Sequence, residues 1–233
     1  MKMYLIILMG ILTVVSAARA TQLTYTWVGF DQDDPHDWAT ADNWSEVRVT
    51  RSPTDIMQLT QKDGSCIVGS STNETVGSLT VQGMTLTVSG KLEVFNTYGT
   101  LALDLDSNDT IGQSVLNITG SEPGTTLAAI AGGANSGIMR LHTLVNEEQT
   151  TSRTTVNHSS GEVEADRLEM DWSNYNLIGG TLRTGEVVFF HERHDPEFKG
   201  LFHQTGGEHD CGNAGLMGVA AIASKACTFL KVS

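Results

Sequence analysis

The sequence predicts an all-β fold: a single-stranded right-handed parallel β-helix, or β-solenoid, with an aromatic N-terminal cap. Three observations predict it. First, a glycine-turned phrase recurs in the second half of the chain. It reads Val156-Asn157-His158-Ser159-Ser160-Gly161-Glu162-Val163, then Tyr175-Asn176-Leu177-Ile178-Gly179-Gly180-Thr181-Leu182, then Phe202-His203-Gln204-Thr205-Gly206-Gly207-Glu208-His209. The starts lie 19 and 27 residues apart, and the polar insertion at residues 191–198, with Pro196, accounts for the longer interval. A strand-and-turn unit repeated at about 20 residues cannot bury its apolar face alone, so copies stack into one core. Second, apolar and polar residues alternate at period two, as half-buried strands require. Third, helix signals are scarce and the chain holds only 4 prolines, which suits stacked hydrogen-bonded strands. The competing reading is a sandwich whose Gly-rich hairpins resemble one another by chance.

Lys2 precedes an apolar run over residues 3–15, and Ala18-Arg19-Ala20 follows. This is the pattern of a secretory signal peptide over residues 1–20, since the run is too short for a membrane span and a small-residue cleavage site follows. The mature chain is expected to start at Thr21, to be secreted or held at the cell surface, and to contain no transmembrane segment. The formal net charge of −13 becomes −15 once Lys2 and Arg19 are removed. So acidic a chain repels nucleic acid and anionic lipid, which excludes both as partners. Cysteines stand at 66, 211 and 227, too few and too odd in number for a disulfide scaffold. Cys211 and Cys227 can pair across a loop, leaving Cys66 as a buried thiol.

Residues 21–46 form the expected cap. They hold three of the 4 tryptophans, Trp27, Trp38 and Trp44. The end of a solenoid exposes strand edges and open core, and large aromatic rings suit the covering of both. The alternative use of the same rings is a carbohydrate-stacking surface, which requires exposed, coplanar faces. Coils are expected over residues 47–217. Strand candidates begin at residues 55–59 and 65–68. They become clearest at 77–81, 84–88 and 91–94, with Leu79, Val81, Met84, Leu86, Val88, Leu92 and Val94 facing inward. Residues 101–103, 115–118 and 138–145 continue the pattern, whereas the Gly/Ala-rich residues 122–137 read as a loop or a flatter coil. The tail, residues 218–233, is either the end of a truncated member of a longer type or a short helix over the last coil.

Trp27-x-Gly29 followed by Trp38-x-Thr40-Ala41-x-Asn43-Trp44, behind a signal peptide, resembles the start of large exported bacterial proteins with autotransporter-like, passenger-type β-helical repeats. The phrases at Asn176–Leu182 and His203–Gly207 look like their repeat units. The resemblance covers the N-terminal unit and about a third of the chain, and its motifs report a coil rather than a chemistry. It implies a secreted or surface β-solenoid. Many such proteins end in a cell-surface sorting signal, which this chain lacks, and that departure leaves surface attachment open.

Candidate chemistry is diffuse. Asp31, Asp33, Asp34 and Asp37 place carboxylates close together, as a hard cation such as Ca²⁺ would need, but without the glycine and distal Glu of an EF-hand. A solvated acidic loop is the plainer reading. His191, His194 and His209 are a conceivable Zn²⁺ set, although the first two are three apart and Pro196 opposes the helix that would align them. Carboxylates at Glu162, Glu164, Asp166, Glu169 and Asp171, with Arg167 and Arg183, resemble the acid-rich faces of polysaccharide-acting solenoids, yet alternating acids on a solvent face give the same pattern. Sequons at Asn43, Asn73, Asn108, Asn117 and Asn157 matter only in a glycosylating host. The expectation is therefore a structural or adhesive protein with no catalytic residues and no cofactor beyond that Ca²⁺ candidate. The alternative is an extracellular protein that binds or degrades polysaccharide. Partners would be extracellular polysaccharide or other surface proteins.

Overall fold

A computed structural model of the chain describes residues 22–29, 33–46, 52–96, 101–108, 110–120, 124–132, 137–144, 153–189, 200–211, 216–217 and 221–224. The chain lays down short strands in succession. After β1 (Thr24–Thr26) come β2 (Ile56–Leu59), β3 (Ser65–Val68) and β4 (Asn73–Val76), then β5 (Ser78–Gln82), β6 (Thr85–Val88) and β7 (Lys91–Asn96). Next are β8 (Leu103–Asn108), β9 (Val115–Thr119) and β10 (Thr125–Ala131), then β11 (Ile138–Leu144), β12 (Thr155–Ser160) and β13 (Glu162–Asp171). The rest are β14 (Asn174–Leu177), β15 (Thr181–Phe189), β16 (Leu201–Gln204), β17 (Glu208–Asp210), β18 (Leu216–Met217) and β19 (Ala221–Ser224).

Every pairing between these strands is parallel, and the pairs fall into three rows that the chain visits in rotation. The first row runs β1-β2-β5-β8-β11 and continues through the C-terminal halves of β13 and β15 to β18. The second runs β3-β6-β9-β12-β14-β16-β19. The third runs β4-β7-β10 and continues through the N-terminal halves of β13 and β15 to β17. Apart from β1 with β2, which the N-terminal unit separates, strands that pair are never neighbours in sequence. A parallel pair needs a long crossover, and here the crossover is the remainder of a circuit. No helix among the described residues is long and apolar enough to cross a membrane.

The core follows from the alternation. Met57, Leu79, Leu103, Met139, Leu168 and Val187 stand in register along the first row, all at most 1% exposed. Cys66, Leu86, Leu116, Val156, Tyr175 and Phe202 stand in register along the second, and all are buried. Successive side chains on a strand point to opposite faces, so one register line of apolar residues fixes the inward side of a whole row. Each such side chain contributes about 1.5–3 kcal/mol of transfer free energy. The third row is lined by Leu92, Leu127, Val163 and Leu182, and ends on His209.

The recurring phrase is a corner between the second and third rows. Gly161, Gly180 and Gly207 all have positive φ and lie one above another. Thr181 N–H donates to Gly161 O and Glu208 N–H to Gly180 O, so each corner is tied to the one before. Residues 122–137 contain a real strand, β10, where the composition reads as a loop or a flatter coil. Alanine is a poor strand former, and pairing on both sides, to β7 and β13, overrides the propensity.

The N-terminal unit covers the outer edges of the first circuit. β1 pairs with β2, Trp38 N–H donates to Ile67 O, and Ile67 N–H donates to His36 O. Trp27, Trp38 and Trp44 are buried beneath it at 3%, 0% and 2% exposure. Trp44 meets Trp27 at 85° and Trp38 at 78°, with ring centres 5.0 and 4.9 Å apart, and its Nε1 donates to Trp38 O. The carbohydrate-stacking surface considered for these three rings is therefore corrected: stacking needs exposed, coplanar faces, and these rings pack edge to face in the core.

Candidate functional site

The outer face of the first row carries the chain's densest group of interacting charges among the described residues. It arises from residues two apart on adjacent strands. On β8 these are Asp104 and Asp106, on β11 Arg140 and His142, and on β13 Glu169 and Asp171. Register places Asp104 beside Arg140 and Arg140 beside Glu169, and places Asp106 beside His142 and His142 beside Asp171. Gln82 of β5 extends the second line. The residues between them, Leu105, Leu141 and Met170, point inward and are fully buried. A core pattern on one side of the sheet thus fixes a polar array on the other.

Arg140 grips Asp104 with two nitrogens, Nε to Oδ1 at 3.0 Å and Nη2 to Oδ2 at 2.8 Å. This fork geometry is the stronger form of the pair. His142 Nε2 lies 3.1 Å from Asp171 Oδ2, while its Nδ1 lies 3.7 Å from Asp106 Oδ1, beyond hydrogen-bond length. Gln82 Nε2 donates to Asp106 Oδ2 at 3.4 Å. Asp106 Oδ1 is buried and has no hydrogen-bond partner among the described residues. Arg167 bridges Glu186 at 3.1 Å and Glu169 at 3.4 Å.

Protonation follows from this packing. The hydrogen bond to Asp171 holds the His142 imidazolium to higher pH than usual, against the opposing effect of burial. Burial pushes the Asp106 carboxyl above its ordinary range, with Asp104 adding to the effect and His142 opposing it. Burial likewise raises Glu169, opposed by Arg167 and Arg140. The row therefore holds protons on Asp106, Glu169 and His142 more readily than water would. Groups shifted in this way can serve acid–base chemistry, and the same shifts occur in ion-pair networks that only join strands.

The sequence-predicted residues are distributed as follows. Glu169 and Asp171, with Arg167, belong to this array. Glu162, Glu164 and Arg183 lie in the third row, where Arg183 pairs with Glu162. Asp166 sits at the junction of rows, accepting the Gly137 N–H at 2.7 Å. In the acidic loop, Asp31 lies outside the described residues, and Asp33 and Asp34 are exposed. Asp37 accepts from the Ala39 N–H and the Thr40 hydroxyl. His191 and His194 lie outside the described residues. His209 ends the third row, stacked on Phe202, with its ring nitrogens near Thr184 Oγ1 and Cys211 Sγ. Burial pushes it down to about 4, so it is neutral at neutral pH. Among the described residues no group of three or more His, Cys, Asp or Glu side chains could hold a metal ion. Cys66 is buried in the core, and the Cys211–Cys227 pairing falls on Cys227, outside the described residues.

Asp104, Asp106, Arg140 and His142 escaped the sequence reading. A signal was present: Asp-x-Asp and Arg-x-His, each inside an apolar alternation, place both polar residues on one strand face. What the sequence lacked was the register that brings them together. No protein-family model, curated protein or solved structure matches the chain.

Proposed function

We propose that this chain is an exported, right-handed single-stranded β-helix with an aromatic N-terminal cap, and that its work is structural or adhesive at the cell surface or in an extracellular matrix. The observation that carries the reading is the use of outward-facing polar side chains to join one strand to the next. Arg140 with Asp104, Arg183 with Glu162, and Arg167 with Glu186 each bridge adjacent strands of a row. Asn157 donates to Asn117, and Asn176 to Asn157, across three strands of the second row. Ladders of this kind stiffen a stack along its length, as a spacer or adhesive rod requires. The likeness to passenger-type repeat proteins and the signal-peptide pattern of residues 1–20 point the same way. The test is expression of the full chain in a bacterial host with its leader intact, fractionation, and mass determination of the exported product. A product beginning at Thr21 in the medium or on the surface is expected. Retention in the cytoplasm with residues 1–20 uncleaved would refute the export on which the role depends.

A second reading has one observation in its favour. Asp106 and His142, side by side on the outer face, hold protons where a glycosidic bond could receive one, so the chain would bind or degrade extracellular polysaccharide. Reducing-sugar release from a polysaccharide panel, abolished by His142→Gln in a protein that still folds, would replace the structural reading with this one. No release from any member of the panel removes the degradative form.

A further inference from the structure

The seven strands of the second row contain no Asp, Glu, Lys or Arg at all, inward or outward. The other two rows carry charges on β4, β7, β8, β11, β13, β15 and β17. In a chain of net charge −13 this is one row of uncharged strands on an acidic body. Its outward register line is Ile67, Thr87, Asn117, Asn157, Asn176 and His203, one residue on each strand from β3 to β16. All six are at least partly exposed, Ile67 at 41%. With strands about 4.8 Å apart, the line runs roughly 24 Å. At its N-terminal rim Asp37 pairs with Ile67, and that carboxylate already accepts two local hydrogen bonds.

We infer that the outer face of the second row is a docking surface for a neutral polysaccharide. The inference rests on the adhesive reading and gives it a ligand class. Charge selects the class first. An anionic polymer is repelled by the body of the protein, and a cationic one finds its ion partners on the other two rows. The amide ladder selects next. Each Asn side chain offers two N–H donors and an oxygen with two lone pairs. The two ladder bonds use one donor and one lone pair of Asn157, leaving one of each for a group outside. A second copy of the chain laid face to face would bury those groups against a sheet whose own donors and acceptors are fixed. Each group left unsatisfied would then cost about 1–3 kcal/mol. A hydroxyl-bearing polymer supplies donors and acceptors that rotate to match. Thr87 adds a hydroxyl on the same register line, and Ile67 and Leu201 give apolar contact for the C–H faces of sugar rings.

The experiment uses the full chain made in a bacterial host, so that the sequons at Asn117 and Asn157 carry no glycan. The protein is pelleted with microcrystalline cellulose and with chitin powder, and its mobility is measured in gels containing polygalacturonate. Retention on at least one of the two neutral polymers is expected, unchanged when salt is raised. Thr87→Asp and Asn157→Asp each put a charge on the face, and each should weaken retention at least tenfold. Glu164→Gln, on the third row, should leave it unchanged. Thermal unfolding of all variants separates lost binding from lost fold, and Thr87→Asp is the decisive variant because Thr87 is outside the amide ladder. Retention that survives both charge substitutions overturns the inference while leaving adhesion standing, as does binding to polygalacturonate in place of the neutral polymers. No retention, with self-association by sedimentation velocity that Thr87→Asp abolishes, overturns it in favour of a second copy. No retention and no self-association overturns both the inference and the adhesive reading beneath it.

Discussion

Gly180→Ala tests whether the stacked corners hold the fold. Gly180 has φ +76°, and a Cβ there would lie 2.3 Å from Gly161 O and 2.7 Å from His158 Nε2. Neither atom is at liberty to move. Gly161 O accepts the Thr181 N–H, and His158 Nε2 lies 3.1 Å from the same oxygen. Left-handed backbone costs an L-residue about 1–2 kcal/mol, and forcing an atom into packed surroundings adds about 1–3 kcal/mol. Together these give about 3 kcal/mol out of a typical total stability of about 5–15 kcal/mol. In a chain of this size that lowers Tm by about 6–12 °C. Gly112→Ala is the matched control. Its φ is +96°, but the nearest atom to an added Cβ is Asp63 Oδ1 at 3.7 Å, so it should cost only the backbone part. Thermal unfolding followed by far-UV circular dichroism measures both. Equal losses for the two variants would refute the close stacking of corner on corner.

Two pH predictions follow from the titrating groups. Because the folded value of His142 is raised, its stabilising contribution is complete below 6.5 and is lost as pH rises through the folded value. The penalty for His142→Gln in urea unfolding should then be larger near pH 5 than near pH 9, and equal penalties would refute the pairing with Asp171. His209 behaves oppositely. Its folded value is about 4, so the stability that it gives is complete above 6.5 and is lost as pH falls towards 4. His209→Phe keeps the stacking on Phe202 and should flatten that acid-side loss; an unchanged slope would count against a buried neutral imidazole. Leu168→Ala, in the middle of the first row and fully buried, should cost about 2–5 kcal/mol. A loss under about 1 kcal/mol in a denaturant titration would mean that the row is not continuously packed there.

The sequence by itself determined which side of each strand faces the core. Leu79 and Val81, Leu86 and Val88, and Leu92 and Val94 alternate with polar residues, and all six are buried. Alternation is a property of a single strand, so it can be read locally. The corner glycines were legible for the same reason, since a turn with positive φ leaves its mark in the residue type itself. The acidic balance of the whole chain was legible too, as a sum over residue types. Pairing was not. Asp106 meets His142 and His142 meets Asp171 only because β8, β11 and β13 stack in one register, across intervening circuits of unequal length. The tryptophans show the same limit, because three rings near one another in sequence serve a stacking platform or a core equally well. Their burial was decided by β1 lying along β2 and by residues 36–38 lying along β3. The sequence sets what each residue can do on its own strand. Only the tertiary structure decides which strand comes to lie beside it, because parallel pairing joins residues a full circuit apart, and hydrogen bonds between such distant segments leave no local pattern.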